Sequence, residues 1–181
     1  MTKTKEIVLG VTGSVAIYKA CDLVRRLQDK GFGVTVVMTA EAARFISPML
    51  FQSLSGRKVY TGMFDEPAEW DIQHVSLAEK ADCVLIAPAT ANIIAKVAAG
   101  ICDDLLTCVV CATTAPVVIC PAMNENMYRN RIVRENCKKL AGLGVTFVEP
   151  SRGKLACGKI GVGCLADVDI IVKAAQKFAA T

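Results

Sequence analysis

The spacing of hydrophobic residues changes period several times along this chain. "KEIVLGV" is a short apolar run that gives way to glycine and polar residues at Gly10 to Ser14. Apolar positions then return at Ala16, Ala20, Leu23, Val24 and Leu27, the spacing of one helix face. Gly31 stops that helix, and "GVTVVMT" is a second strand-like run rich in β-branched residues. Strand, helix and strand in this order predict a right-handed crossover between parallel strands.

The rest of the chain repeats the alternation. "AEAARFISP" reads as a helix ended by Pro48, and "MLFQSLSGRKVYTGMF" as a half-buried turn of helix with an edge segment. "DEPAEWDIQHVSLAEKA" reads as a loop entering a short helix capped near Ser76. "DCVLIAPAT" is the most continuously apolar run and belongs in the middle of a sheet. "ANIIAKVAAGICDDLLTCVVCAT" is helical on both sides of Gly100, "APVVICPAMN" is another central strand, and "ENMYRNRIVRENCKKLAGLG" is one long helix. "VTFVEP" is the last strand, residues 151–167 form a glycine-rich loop, and "VDIIVKAAQKFAA" is the closing helix. The fold class expected is α/β, a three-layer doubly wound parallel sheet with ligands at the carboxyl ends of its strands.

Composition supports that architecture. With 53% hydrophobic but only 6% aromatic residues, the core must be built from Val, Ile, Leu and Ala, as in parallel strands covered on both faces. The 181 residues suffice for one domain, 1–181. The most apolar window, "VLIAPATANIIAKVAAGI", is interrupted by Pro88, Thr90, Asn92 and Lys96 and falls short of the ~20 apolar residues of a membrane span, so no membrane association is expected. "MTKTKEIVLG" is too short in apolar residues for a signal-peptide core, which predicts a cytoplasmic protein. The net charge of +4 is scattered and offers no nucleic-acid footprint.

Nine cysteines, an odd number in a chain of this size, argue against a disulfide framework, and most are expected to be buried small hydrophobes. "CVVC", Cys108 to Cys111, lies in an apolar helical stretch with no second pair or histidine at ligand spacing, so no metal site is expected.

Three strand ends carry candidate chemistry. In "GVTGSVA", Gly13 and Ser14 open a helix whose free N–H groups can hold an anion, although a glycine is also needed there simply to reverse the chain. The spaced G-x-G-x-x-G and the acidic ribose ligand of a dinucleotide site are missing, so a mononucleotide phosphate suits Gly10, Gly13 and Ser14 better. In "APATAN", Thr90 and Asn92 stand at a helix start, as caps or as partners of a planar ligand's polar edge. Asn124 in "CPAMNENMY" is both a natural N-cap and a carboxamide at the ligand edge, able to bind a substrate carboxylate or amide.

Taken together, "GSVA", the lone His74, "APATAN", "AGICDDLLT", "PAMN" and "ACGKIGVG" resemble, in order and spacing, the flavin-dependent cysteine decarboxylase family. The likeness runs from the first strand to residue 167; "GSVA" is unspecific, whereas "PAMN" joined to "ACG-x-x-G-x-G" is narrow. The resemblance implies a flavodoxin-like (Rossmann-like) flavoprotein that binds FMN, with flavin sites at the subunit contacts of a homotrimer or a higher assembly of trimers. Gly13, Ser14, Val15 and Ala16 would lie against FMN, with Thr39, Ala40 and Glu41 after the second strand. Thr90, Ala91, Asn92 and Ile93 would follow, and Ala122 would face the flavin. It further implies that His74 and Cys157 are catalytic and that Asn124, Met123 and Ala156 bind substrate, with 151–167 as a flap closing over it.

The chemistry explains why such groups are needed. A cysteine-derived carboxylate has no electron sink beside it, so loss of CO2 must wait until a cofactor creates one. In the family the thiol-bearing unit is oxidised to a thioaldehyde, CO2 leaves to give an enethiolate, and the coenzyme A branch then reduces it. That branch acts on a phosphorylated small molecule, 4'-phospho-N-pantothenoylcysteine. Reduction needs a proton donor, which the resemblance places at Cys157, while the imidazole of His74 would deprotonate or orient the substrate thiol.

The flap departs from the family at Lys159, where many relatives carry an acidic residue, and at Cys164, where bacterial members often carry Arg. Arg152, Lys154 and Lys159 supply charge near a phosphate or are solvated surface charge. Bacterial members are commonly fused to a synthetase domain, and the sequence fits either a stand-alone enzyme or one part of such a fusion. Other readings are a peptide C-terminal cysteine decarboxylase that stops at the enethiol, a regulatory flavin-binding module without turnover, and a flavin prenyltransferase, which does not account for "PAMN" with "ACG-x-x-G-x-G".

Overall fold

The computed structural model of the chain describes residues 4–63 and 72–179. Five parallel strands form the central sheet: β1 Glu6–Val11, β2 Gly33–Met38, β3 Cys83–Ala89, β4 Val117–Pro121 and β5 Thr146–Phe147, in the order β2-β1-β3-β4-β5. Every residue of β3 is buried, as its unbroken apolar run requires of a central strand with both faces covered.

Successive side chains of a strand point to opposite faces, and the two cores follow from that. Leu9 and Val11 of β1 and Leu85 of β3 enter one core, beneath α1 Tyr18–Asp29 and α9 Val168–Ala179. Val8, Val84 and Ile86 enter the other, beneath α4 Gln73–Lys80, α5 Ala91–Ala99, α6 Leu105–Ala112 and α8 Arg131–Gly142. Of the predicted helical stripe, Ala20, Leu23, Val24 and Leu27 are completely buried on α1, whereas Ala16 is half-buried in the 3₁₀ turn that precedes it. Truncating one of its leucines to alanine costs about 2–5 kcal/mol. The chain leaves β1 towards β2 on one side and returns to β3 on the other, so a crevice opens between the carboxyl ends of β1 and β3.

Several predicted boundaries are corrected. Pro48 does not end a helix but starts α3 Pro48–Ser55, one turn after α2 Ala40–Phe45; Ser47 caps α3 by accepting the Met49 N–H, and proline at a first helical position forfeits no intrahelical bond. Helix α4 begins at Gln73 without a side-chain cap, and Ser76 lies inside it, its hydroxyl donating to the Gln73 carbonyl. The expected long helix breaks at Asn130, whose extended backbone ends α7 Glu125–Arg129 while its side chain accepts the Ile132 N–H to start α8. The loop expected over 151–167 is an antiparallel hairpin, β6 Ser151–Lys154 with β7 Ile160–Cys164. The loop around Trp70 lies outside the described residues.

The cysteine expectation also fails in part. Only Cys83, Cys120 and Cys137 are buried; Cys102, Cys111 and Cys157 are exposed. Cys83 and Cys120 are strand residues, whereas the exposed ones sit on a helix (Cys111), in the connection between α5 and α6 (Cys102) and in a turn (Cys157), where no core demands them. Among the described residues no helix is long and apolar enough to cross a membrane.

Candidate active site

The ends of β1 and β3 are knitted together by Thr12, a residue the sequence reading passed over. Its buried hydroxyl donates to the Pro88 carbonyl at 2.7 Å and accepts the Thr90 N–H at 3.1 Å. Nothing in the local sequence marks this threonine, because its partners lie 76 and 78 residues away. Beside it, Ser14 donates to the Ala122 carbonyl at 3.1 Å and accepts the Ala16 N–H at the start of the 3₁₀ turn Val15–Ile17. β1, β3 and β4 thus end at one place.

Three element starts with hydroxyl caps line this edge: Ser14 before the 3₁₀ turn, Thr39 before α2 and Thr90 before α5. Gly13 makes their approach possible, because a Cβ there would lie 2.6 Å from Cβ of Glu41 in the first turn of α2.

A cavity of about 800 Å³ opens above these strand ends. Gly13, Ser14, Val15 and Ala16 form one wall, and Thr90, Ala91 and Ala122 its floor. Val15 is 57% exposed and lines the cavity, while Ile17 of the same turn is buried in the core. Met123, Asn124, Ala156 and Cys157 complete the opposite wall. The remaining residues predicted for the cofactor stand off this cavity: Thr39 caps α2, Ala40 and Glu41 are exposed beside Gly13, Asn92 is exposed, and Ile93 is buried under α5.

The hairpin β6–β7 roofs the cavity and is tied to the loop after β4. The Met123 N–H donates to the Gly163 carbonyl at 3.0 Å, and the Val162 N–H donates to a Glu125 carboxylate oxygen at 3.4 Å. Gly163, at φ +152°, lies where a Cβ would overlap the Met123 carbonyl oxygen, so only glycine allows this seat. The turn of the hairpin carries Cys157 back over β4, and there Asn124 Nδ2 lies 3.9 Å from its sulfur. The Asn124 oxygen meanwhile accepts the Asn126 N–H at 2.9 Å and caps α7. The capping and ligand-binding readings of this residue are compatible, because they use different ends of one carboxamide.

His74 is not brought to this cavity within the chain. It sits half-buried in the first turn of α4, which packs against α6. Three thiols elsewhere in the fold are shifted by their surroundings. Burial, reinforced by the charge of Asp82, pushes Cys83 up to about 12, and burial pushes Cys120 up as well. A hydrogen bond with Cys102, then burial, pushes Cys111 up to about 11. Among the described residues, no group of His, Cys, Asp and Glu could hold a metal ion.

Comparison with known proteins places this geometry. The chain matches the family described as Flavoprotein over residues 1–180. It is 47% identical over 177 residues to the coenzyme A biosynthesis bifunctional protein CoaBC of Bacillus subtilis, covering 98% of this chain and 44% of that protein. It therefore spans less than half of that relative. Among solved structures it resembles a cysteine-to-serine mutant of PPC decarboxylase complexed with pantothenoylaminoethenethiol, with TM-score 0.85 and 28% identity over 99% of this chain and all of that one. It is equally close to the FMN-dependent cysteine decarboxylase SpaF, with TM-score 0.86 and 32% identity over 98% of both chains.

Proposed function

The chain belongs to the Flavoprotein family, and on that premise we propose that it is an FMN-dependent carboxy-lyase converting 4'-phospho-N-pantothenoylcysteine to 4'-phosphopantetheine. The observation that carries this reading is the meeting of Asn124 and Cys157 above the β1–β3 crevice. A hydrogen-bond donor for a carboxylate and a thiol for proton delivery then face the same small volume.

FMN fits the residues present. The turn at Ser14 offers backbone N–H groups and a hydroxyl to a phosphate, and Val15, Ala16, Ala91 and Ala122 offer an apolar shelf without bulk for a planar ring. The order β2-β1-β3-β4-β5 has its ligand crevice at this point. When bound there, FMN supplies a two-electron oxidation of the substrate's thiol-bearing carbon unit and its later reversal.

The chain's own residues account for the remaining steps. Asn124 Nδ2 donates to the substrate carboxylate and holds the carbon that loses CO2 beneath the hairpin. The hairpin, seated by Met123 and Glu125, excludes water while the enethiolate exists. Cys157 delivers the proton that reduction of the enethiolate requires, with its sulfur becoming thiolate. His74 lies outside the cavity of its own chain, and a neighbouring copy in a homotrimer would bring that imidazole to the substrate thiol.

Incubation of FMN-reconstituted protein with 4'-phospho-N-pantothenoylcysteine is expected to release CO2 and form 4'-phosphopantetheine; absence of both products overturns the reading. The likeness to SpaF favours a second reading, a cysteine decarboxylase that stops at the enethiol. Product mass separates the two, because the enethiol is lighter by two hydrogens.

A further inference from the structure

Helix α7 is short, yet both strands of the hairpin are tied to it. Glu125 accepts the Val162 N–H of β7 at 3.4 Å and pairs with Arg129 at 2.9 Å. Tyr128 follows on the same helix face and reaches towards the other strand. Its hydroxyl donates to the Glu149 carboxylate, and Glu149 stands just before Ser151, where β6 begins. Asn124, the cap of this helix, carries the carboxamide that meets Cys157. One element therefore holds that carboxamide and an anchor for each strand of the hairpin.

The hydroxyl of Tyr128 does more than complete a core aromatic. The side chain is buried, and the Arg134 guanidinium of α8 lies over its ring at 4.9 Å while reaching Glu149 at 3.8 Å. A phenylalanine ring would fill the same space; what the hydroxyl adds is a bond to the chain entering β6. Burial, then the hydrogen bond with Glu149, pushes the phenol up to about 12, so it remains a donor across the neutral range. Val148 is fixed to the sheet through its N–H on the Ile119 carbonyl at 2.9 Å, and pairing with β7 starts at Ser151. Glu149 thus sits in the connection between sheet and hairpin.

We propose that Tyr128 is a positioning residue: through Glu149 it fixes the root of β6 against α7, so that the hairpin turn holds Cys157 beside Asn124 until the enethiolate has been protonated and reduced. This inference rests on the decarboxylase reading for the step affected. β7 keeps its own seat on Met123 and Glu125, so loss of the Tyr128 bond frees one strand and not the whole hairpin. Cys157 then leaves the site while Asn124 stays capped on α7. Loss of CO2 precedes the need for Cys157, so the first half of the reaction continues and the second fails. The enethiolate takes a proton from solvent and leaves as the enethiol, two hydrogens lighter than 4'-phosphopantetheine. The two electrons it did not take back pass to dissolved dioxygen, giving one hydrogen peroxide for each enethiol released.

The test compares flavin-loaded wild type with Tyr128→Phe, Glu149→Ala, Glu149→Gln, the double variant Tyr128→Phe/Glu149→Ala, and Gln28→Ala. The last is a control that removes another tertiary hydrogen bond, Gln28 Nε2 to the Ser55 carbonyl at 2.9 Å, at the end of α1 away from the cavity. Mass spectrometry reads the ratio of enethiol to 4'-phosphopantetheine in air, a peroxide assay counts the diverted electrons, and hydrogen exchange without substrate reads β6. Tyr128→Phe and Glu149→Ala are expected to raise the enethiol ratio and the exchange of β6 amides at least about fivefold, with β1 and β3 unchanged. Glu149→Gln keeps an acceptor for the hydroxyl and should stay near wild type, and the double variant should be no worse than either single one. An unchanged ratio or unchanged β6 exchange in Tyr128→Phe overturns the proposal. So does an equal rise in Gln28→Ala, which would assign the effect to general loosening. Failure of wild type to release CO2 would instead overturn the decarboxylase reading, while exchange still decides whether Tyr128 anchors β6.

Discussion

Asn124 uses both ends of its carboxamide: the oxygen caps α7 through the Asn126 N–H at 2.9 Å, and the nitrogen lies 3.9 Å from the Cys157 sulfur. Two substitutions separate these roles. Asn124→Asp keeps a good cap but replaces the donor with a negative charge that, on the proposed reading, would face the substrate carboxylate, so kcat/KM is expected to fall by at least about 100-fold, with stability within about 0.5 kcal/mol of wild type. Asn124→Ala loses the cap as well and costs about 1 kcal/mol. Steady-state kinetics beside urea denaturation distinguishes the two; an active Asn124→Asp enzyme removes the residue from the site.

Cys157→Ser tests the proposed role of this thiol as proton donor. The side chain is exposed, so the fold should be unaffected. CO2 release is expected to persist for at least one turnover, with the reduced product replaced by a species two hydrogens lighter. Mass spectrometry of the quenched reaction reads this directly, and normal yields of 4'-phosphopantetheine would dismiss Cys157 as the donor.

The position of His74 outside the cavity predicts complementation between chains. Neither His74→Asn nor Cys157→Ser should form 4'-phosphopantetheine alone. Coexpressed in equal amounts, they should regain about a quarter of wild-type activity, because random assembly pairs an intact histidine with an intact flap at that frequency. No recovery, with mixed oligomers demonstrated by differential tags, would mean that His74 does not act across a subunit contact.

Gly163→Ala tests the seat of the hairpin. The added methyl meets the Met123 carbonyl oxygen at a backbone angle of φ +152° that alanine resists. Strain and clash together are expected to cost at least about 2 kcal/mol, released by lifting β7 off the loop after β4. Hydrogen exchange should accelerate in β6 and β7 while β1 and β3 stay protected, and activity should fall with the loss of closure.

Asp104 makes a pH-dependent contribution to stability. Its burial opposes ionisation, but the Thr107 N–H, the Lys96 ammonium at 3.0 Å and the Thr107 hydroxyl outweigh this and hold its pKa below the ordinary value. A carboxylate depressed in the folded state stabilises above its unfolded pKa of about 3.9 and loses that contribution as pH falls through the folded value. Asp104→Asn retains a capping oxygen without the charge. The gap in urea midpoint between wild type and this variant should be full at neutral pH and close below about pH 4.

Much of the molecule was legible before the structure because its information is local. The strand at 83–89 needs only an unbroken apolar run, and the stripe from Ala20 to Leu27 needs only a period of 3.6; each finds its place on a two-sided sheet. The candidate residues Ser14, Thr90 and Asn124 were nameable because turns at strand ends carry recognisable residue types, whereas Cys157 was named only through the resemblance of "ACGKIGVG" to a family motif. Local signals misled where several pointed to one stretch: Pro48 punctuates a helix from either side, and Asn130 looks like any polar residue of a long amphipathic helix until its backbone extends and its side chain caps the next one.

Only the tertiary structure decided what long-range contacts decide. Thr12 joins two strand ends through partners distant in sequence, and residues 151–164 become a hairpin although their glycines argue against strand, because Met123 and Glu125 supply its outer bonds. The same packing leaves His74 off the cavity and brings Lys19, Arg152 and Lys154 into its lining. Charge and side-chain type are written residue by residue in the sequence, but which of them share a volume is fixed only when the sheet order sets the ends of β1, β3 and β4 side by side.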